Sequence, residues 1–305
     1  MTFNDCLHSF YNYLRVERNA SDNTLAAYKT DIELFLIYLN DSNQGREITV
    51  EALQKTMIRG YLSYLYRHDY SKTSAARKLA ALRTFCRYLV RQGVLKHNPT
   101  LGIATPKLEK RLPDFLTKEE VRHVLQQPDA GTFEGLRDFV ILELFYATGL
   151  RVSEVAGLEY RNVLCKEGVI RVVGKGRKER LVQTGKELMT HLDYYLDRLV
   201  SLYKRALSPK DRLFVDAQLK PLTRFQVAGL VRKYVSRVAD DKKAHPHALR
   251  HSFATHLLNE GADLMSVKEM LGHENLSTTQ IYTHMSADHL KRIYKKYHQR
   301  DRESK

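Results

Sequence analysis

Leu25, Tyr28, Ile32, Phe35, Leu36 and Leu39 recur at helical spacing behind the polar cluster Ser21-Asp22-Asn23-Thr24. Residues three and four apart share a face of an α-helix, so the run predicts an amphipathic helix that starts at the cluster. Leu79, Leu82, Cys86 and Leu89 repeat the pattern, with Arg83, Arg87 and Arg91 on the stripe beside them. A Pro-bearing stretch, Ala104 to Pro113, interrupts the pattern and reads as a linker. Beyond it the spacing predicts a helix from about Thr117 and another through Phe139–Tyr146, with Gly149 placed to end the latter. Period-two alternation occurs clearly only once. Val169–Val173 and Arg180–Val182 flank the glycine-bearing turn Gly174-Lys175-Gly176-Arg177-Lys178, which predicts a β-hairpin. After the hairpin the chain reads as almost wholly helical. The expected architecture is mainly α and two-domain: a helical N-terminal domain (1–103), a linker (104–113) and a mainly α second domain (114–305) that carries one small antiparallel sheet.

Near the end, Asp263 and Gly272 bracket a short helix, and Ser277-Thr278-Thr279-Gln280 is a capping box. Tyr282 therefore falls about five residues into a new helix with a fixed start. Ser286 then caps a last helix whose stripe is Leu290, Ile293, Tyr294 and Tyr297.

At 305 residues and 43% hydrophobic, the chain suffices for two domains with their own cores. Its apolar stretches are cut by charge within a few residues, so no membrane segment is expected. Met1-Thr2-Phe3-Asn4-Asp5 lacks the basic and apolar regions of a signal peptide. Cys6, Cys86 and Cys165 are scattered, which argues against zinc and against a disulfide framework and points to a reducing cytoplasm.

Charge changes the picture more. The formal net charge is +15, and between Tyr70 and Leu108 there is no acidic residue. Solvated faces normally mix both signs, so Lys72, Arg77, Lys78, Arg83, Arg87 and Arg91 are expected to face DNA phosphates. The other reading of the arginine stripe is mere solubility.

The second domain carries residues suited to phosphodiester chemistry. Arginine offers a planar fork that matches two phosphate oxygens. Arg151 follows Thr148-Gly149-Leu150, and Arg250 closes His247-Ala248-Leu249-Arg250. His247 and Arg250 lie about 60° apart on one helix face, and Pro246 suits the first helical position, which places His247 in the first turn. There the positive helix end disfavours an imidazolium. His247 and His251 have the spacing of a metal pair, but Arg250 beside them makes a cation unwelcome, and no metal is expected. Histidine can move a proton near neutral pH, and a tyrosine can form a covalent intermediate. Each signal alone is more often structural: H-x-x-R pairs are commonly surface or capping residues, most tyrosines pack, and a hairpin lysine is usually just solvated.

In this order, together, they resemble a family. Ala147-Thr148-Gly149-Leu150-Arg151-Val152-Ser153-Glu154, the Gly174-Lys175-Gly176 hairpin, Leu249 to Leu258 and Leu271 to His284 are similar to the tyrosine recombinases, most closely the bacterial Xer recombinases. The likeness spans nearly the whole chain, all six expected catalytic positions are filled, and the fold it implies is a two-domain C-shaped clamp. It implies that Arg151 and Arg250 hold the non-bridging oxygens of a scissile phosphate and that Lys175 protonates the leaving 5′ oxygen. It also implies that His247 is an acid/base, that His273 hydrogen-bonds the phosphate, and that Tyr282 attacks to give a 3′-phosphotyrosine. No cofactor is implied, and no phosphate-binding G-x-x-x-x-G-K-[ST] loop occurs. The implied partners are double-stranded DNA with paired half-sites and a homo- or heterotetramer on it, formed with a sister recombinase in the second case, with the last helix docked on a neighbour. The implied task is resolution of chromosome dimers ahead of cell division. The alternatives are a phage or transposon integrase of the same chemistry, a type IB topoisomerase, a metal-dependent transposase and a non-catalytic DNA-binding protein.

Overall fold

The structure is a computed structural model that describes residues 2–43, 49–107, 115–174, 179–240 and 243–271. Lys175, His273, Tyr282, the Ser277–Gln280 cap, the stripe after Ser286 and most of the expected linker lie outside the described residues. The chain divides into two compact units, Met1–Arg111 and Leu112–Lys305.

The first unit is helical: α1 (Phe3–Val16), α2 (Asp22–Ser42), α3 (Lys55–Arg67) and α4 (Lys72–Arg91). Ser21 caps α2 as expected, its hydroxyl accepting from the Thr24 amide. The predicted stripe supplies Ile32, Phe35 and Leu39 to the core, where Phe10, Tyr61 and Phe85 are fully buried. Phe10 and Phe85 meet edge-on at 5.2 Å, an attractive arrangement of ring quadrupoles.

The second unit comprises α5 (Lys118–Leu125), α6 (Phe133–Thr148), α7 (Val152–Gly157), β1 (Val163–Leu164), β2 (Val169–Val173), β3 (Glu179–Gln183), α8 (Lys186–Tyr203), α9 (Arg224–Val235), α10 (Pro246–Asn259) and α11 (Leu264–Leu271). The sheet is antiparallel in the order β1-β2-β3, with Val172 opposite Arg180. The predicted hairpin is present. A third strand of two residues joins it, too short for alternation to reveal. Helix α6 is the core element, buried on nearly every side, with α8 and α10 both packed against it. Burial all round erases the polar face, which is why periodicity recovers only its middle. Among the described residues no helix is long and apolar enough to cross a membrane.

Gly149 ends α6 in the left-handed region, at φ +61°, with its amide bonded to the Phe145 carbonyl. A Cβ there would lie 2.7 Å from both Leu271 and Phe253, so the chain needs glycine for conformation and for space. Gly149→Ala should therefore lower stability by about 2–4 kcal/mol, from left-handed strain plus overpacking. The fall in the denaturation midpoint checks this. An unchanged midpoint would mean that the α6–α7 turn is not held this tightly.

Candidate active site

The turn that Gly149 permits carries the chain into Arg151, the N-cap of α7. Glu154, at the third position of α7, reaches back to it. Its carboxylate accepts from the Arg151 amide at 2.7 Å and from the Arg151 guanidinium at 3.1 Å. Glu154 thus supplies the reach-back half of a capping box, since a guanidinium cannot accept in return, and the same contacts that start α7 also aim Arg151.

Arg250 comes from the first turns of α10. Its side chain is only 6% exposed and donates to the Gly149 carbonyl and, at 2.7 Å, to the Leu271 carbonyl. One guanidinium thus ties the turn before Arg151 to the end of α11. Burial, and next the positive charge of Arg151, pull Arg250 down to about 10. It remains charged at neutral pH.

The predicted start of α10 is observed, with Pro246 as its first residue. The cap is His245, whose Nδ1 accepts from the Ala248 amide at 3.0 Å. His247 lies exposed in the first turn. Desolvation lowers its pKa first, followed by the charges of His245, His251, Arg250 and Arg151. The imidazole is therefore neutral at pH 7, and field and desolvation act in the direction expected from the helix end alone. His251 and the buried His256 are shifted down as well, each mainly by desolvation. A histidine held below its ordinary value of about 6.5 takes up its proton in the unfolded chain first. Stability is then fully present above about pH 6.5 and is lost as pH falls from there towards the folded values. Thermal melts should show a midpoint steady from pH 8 to 7 and dropping between 6.5 and 5. A midpoint that rose through that window would contradict the shifts.

Two residues join this cluster that periodicity and motif spacing did not assign. Arg180, on β3, grips Glu154 through both terminal nitrogens, at 2.8 and 3.0 Å. Its strand partner Val172 is buried, so register turns Arg180 to the inner side of the sheet. Burial raises the Glu154 carboxyl, but the hydrogen bonds and charges of Arg180 and Arg151 together outweigh it and hold the group below the usual carboxylate range. The R-x-x-E capping spacing was a legible signal for Glu154. Arg180 is reached only through the sheet register. Among the described residues no group of three or more His, Cys, Asp or Glu side chains could hold a metal ion. The described site is thus three guanidiniums around one carboxylate, beside a neutral imidazole. Its excess positive charge suits a tetrahedral oxyanion, and its histidine suits proton transfer.

In the first unit the six expected phosphate-facing bases of α4 separate. Lys78 is a correction: it is 4% exposed and gives its ammonium to buried Asp31 at 2.9 Å. The sequence shows Lys78 in a basic run but not that Asp31 of α2 sits across from it. Arg77 also pairs with Asp31, from a half-exposed position. Arg83 donates to the Ile103 carbonyl at 2.5 Å and to the Thr105 hydroxyl at 2.7 Å. Arg91 pairs with Glu17 at 2.6 Å and lies over the Tyr13 ring. Lys72 and Arg87 are exposed at the helix surface, and Arg87 makes one long contact, 3.4 Å, to Thr84.

A family model described as phage integrase family matches residues 114–289, and one described as phage integrase, N-terminal SAM-like domain, matches residues 7–93. The chain is 40% identical to the protein named tyrosine recombinase XerC of Pelotomaculum thermopropionicum, over 96% of this chain and 98% of that one. It is 39% identical to tyrosine recombinase XerD of Listeria innocua serovar 6a, over 97% and 99%. The fold is shared with the XerH site-specific recombinase bound to palindromic difH substrate in a post-cleavage complex, at a TM-score of 0.67 and 23% identity over 91% of this chain and 81% of that one. It is shared equally with a lambda integrase dimer bound to a COC′ core site, at 0.67 and 17% over 94% and 100%.

Proposed function

The chain belongs to the phage integrase family, the tyrosine recombinases, and on that basis we propose that it cuts and rejoins DNA at a specific site to resolve chromosome dimers before cell division. The observation that supports this most is the convergence of Arg151 and Arg250, from α7 and α10, beside a neutral His247. In the proposed reaction the Tyr282 hydroxyl attacks the scissile phosphorus, and the bond to the 5′ oxygen breaks. His247 handles the tyrosyl proton, Lys175 gives a proton to the leaving oxygen, and His273 hydrogen-bonds the phosphate. Arg151 and Arg250 hold its non-bridging oxygens, where charge builds in the transition state. The product is a 3′-phosphotyrosyl ester and a free 5′ hydroxyl. Attack by the 5′ hydroxyl of a partner strand reverses the step. One phosphodiester is exchanged for another, so the arginines can supply the charge stabilisation and no nucleotide energy source is needed.

Residues 1–103 are proposed as the DNA-binding domain, 104–113 as a linker and 114–305 as the catalytic domain. Subunits would occupy paired half-sites and form a tetramer of identical chains or one shared with a sister recombinase. Work on the chromosome places the protein in the cytoplasm. Lys72, Arg77, Arg83, Arg87 and Arg91 remain the proposed phosphate-facing set of α4. Because Arg83 and Arg91 already have internal partners, Arg87 should carry most of the contact. Arg87→Gln should reduce the log–log salt slope of DNA binding by about 1, the release expected for one phosphate contact. An unchanged slope would leave Arg87 as a solubilising residue.

The biological assignment is tested by recovering genomic DNA covalently attached to the protein in cells. The proposal expects one chromosomal site. Recovery of the ends of a mobile element would favour an integrase of the same chemistry instead.

A further inference from the structure

The structure assigns Arg180 of β3 a positioning role: it neutralises Glu154 so that the positive charge of Arg151 stays available to the scissile phosphate. This deepens the recombinase reading and rests on it.

Glu154 is needed locally, because its carboxylate caps α7 and fixes the Arg151 backbone. Its side chain is 5% exposed, so its charge is poorly screened by water. A buried carboxylate beside a phosphate-binding arginine works against the site. It repels the incoming phosphate and competes for the same guanidinium. Geometry shows how the conflict is met. Arg180 grips Glu154 with two contacts of 2.8 and 3.0 Å, a two-pronged fork, whereas the Arg151 side chain makes a longer one of 3.1 Å. Arg180 comes from a different element, on a paired strand whose register faces it inward. Both terminal nitrogens are committed to Glu154, and its Nε is buried with no partner among the described residues.

Charge decides the consequence. Arg151, Arg180 and Arg250 against Glu154 leave two positive charges in excess. The phosphoryl transition state spreads negative charge over the oxygens these groups would face. Without Arg180 one charge is in excess, and Glu154 turns on Arg151. Misplacing a reacting group's partner by about 1 Å can cost on the order of 100-fold in rate.

The test measures single-turnover cleavage of a nicked suicide duplex at saturating protein, with half-site binding and thermal melts alongside. R180Q should cleave about 30–100-fold more slowly than the natural protein while binding DNA within about threefold. E154Q placed in that background should recover about tenfold or more, because the charge that Arg180 offsets is gone. A tether without an electrostatic role would make the double variant no better than R180Q, and that result overturns the proposal. R180K keeps the charge and provides a second variant should R180Q fold poorly. It should cleave at least about tenfold faster than R180Q, or, where R180Q cannot be measured, within about tenfold of the natural protein. R180K inert despite a natural melting profile overturns the proposal, as does R180Q cleaving within twofold of the natural protein. If the natural protein itself forms no covalent adduct, the recombinase reading fails and not the role of Arg180 alone.

Discussion

Tyr282→Phe is expected to abolish covalent attachment of the protein to DNA while leaving binding intact. The change removes one hydroxyl and keeps the ring, so only the nucleophile is lost. Covalent catalysis has no substitute for the attacking atom, so the predicted loss is complete rather than graded. Tyr282 stands nine residues beyond His273 in the sequence, within the segment whose likeness to the family assigns it as the nucleophile. A suicide substrate with a nick beside the scissile phosphate measures this, since the strand fragment released on attack cannot return and adduct accumulates. Adduct from Tyr282→Phe at the natural rate would remove Tyr282 from the reaction.

Arg250→Ala is expected to lower cleavage by about 100-fold or more, equivalent to roughly 3 kcal/mol of lost transition-state stabilisation. A second effect follows from its place in the structure. Arg250 is buried and bonds the Gly149 and Leu271 carbonyls, so its loss also leaves two acceptors unsatisfied. Stability should fall by about 2–4 kcal/mol. Arg250→Lys keeps a charge but replaces the planar fork with a point donor, so it should hold one carbonyl poorly and remain far below natural activity. Arg151 differs. It is partly exposed, and its shape is set by Glu154, so Arg151→Ala should damage cleavage similarly with a smaller loss of stability. Denaturation midpoints beside single-turnover rates separate the two effects. Near-natural cleavage by Arg250→Ala would show that its work is purely structural.

Much of this was legible in the chain. The helical stripe after Ser21, the hairpin at residues 169–182, the stop at Gly149 and the Pro246 start of α10 rest on local spacing and turn chemistry, and the structure has them. Contacts between distant segments were not legible. Lys78 reads as one more base in a basic run, yet Asp31, 47 positions earlier, takes it into the interior. Arg180 reads as a strand residue, and only pairing with β2 brings it to Glu154. His245 reads as the residue before a proline, and only the folded turn makes it the cap of α10. Spacing fixes a face of an element. It does not say which charge the opposite element brings.

In the proposed reaction Tyr282 becomes esterified to a 3′ phosphate. Mass spectrometry of the trypsin-digested adduct, formed in EDTA, tests it most directly, because the peptide spanning residues 269–291 contains one tyrosine. A nucleotide mass is expected on that peptide, localised to Tyr282 and joined through the 3′ end of the cleaved strand. A nucleotide on any other residue, attachment through a 5′ end, or loss of the adduct when metal is chelated would contradict it.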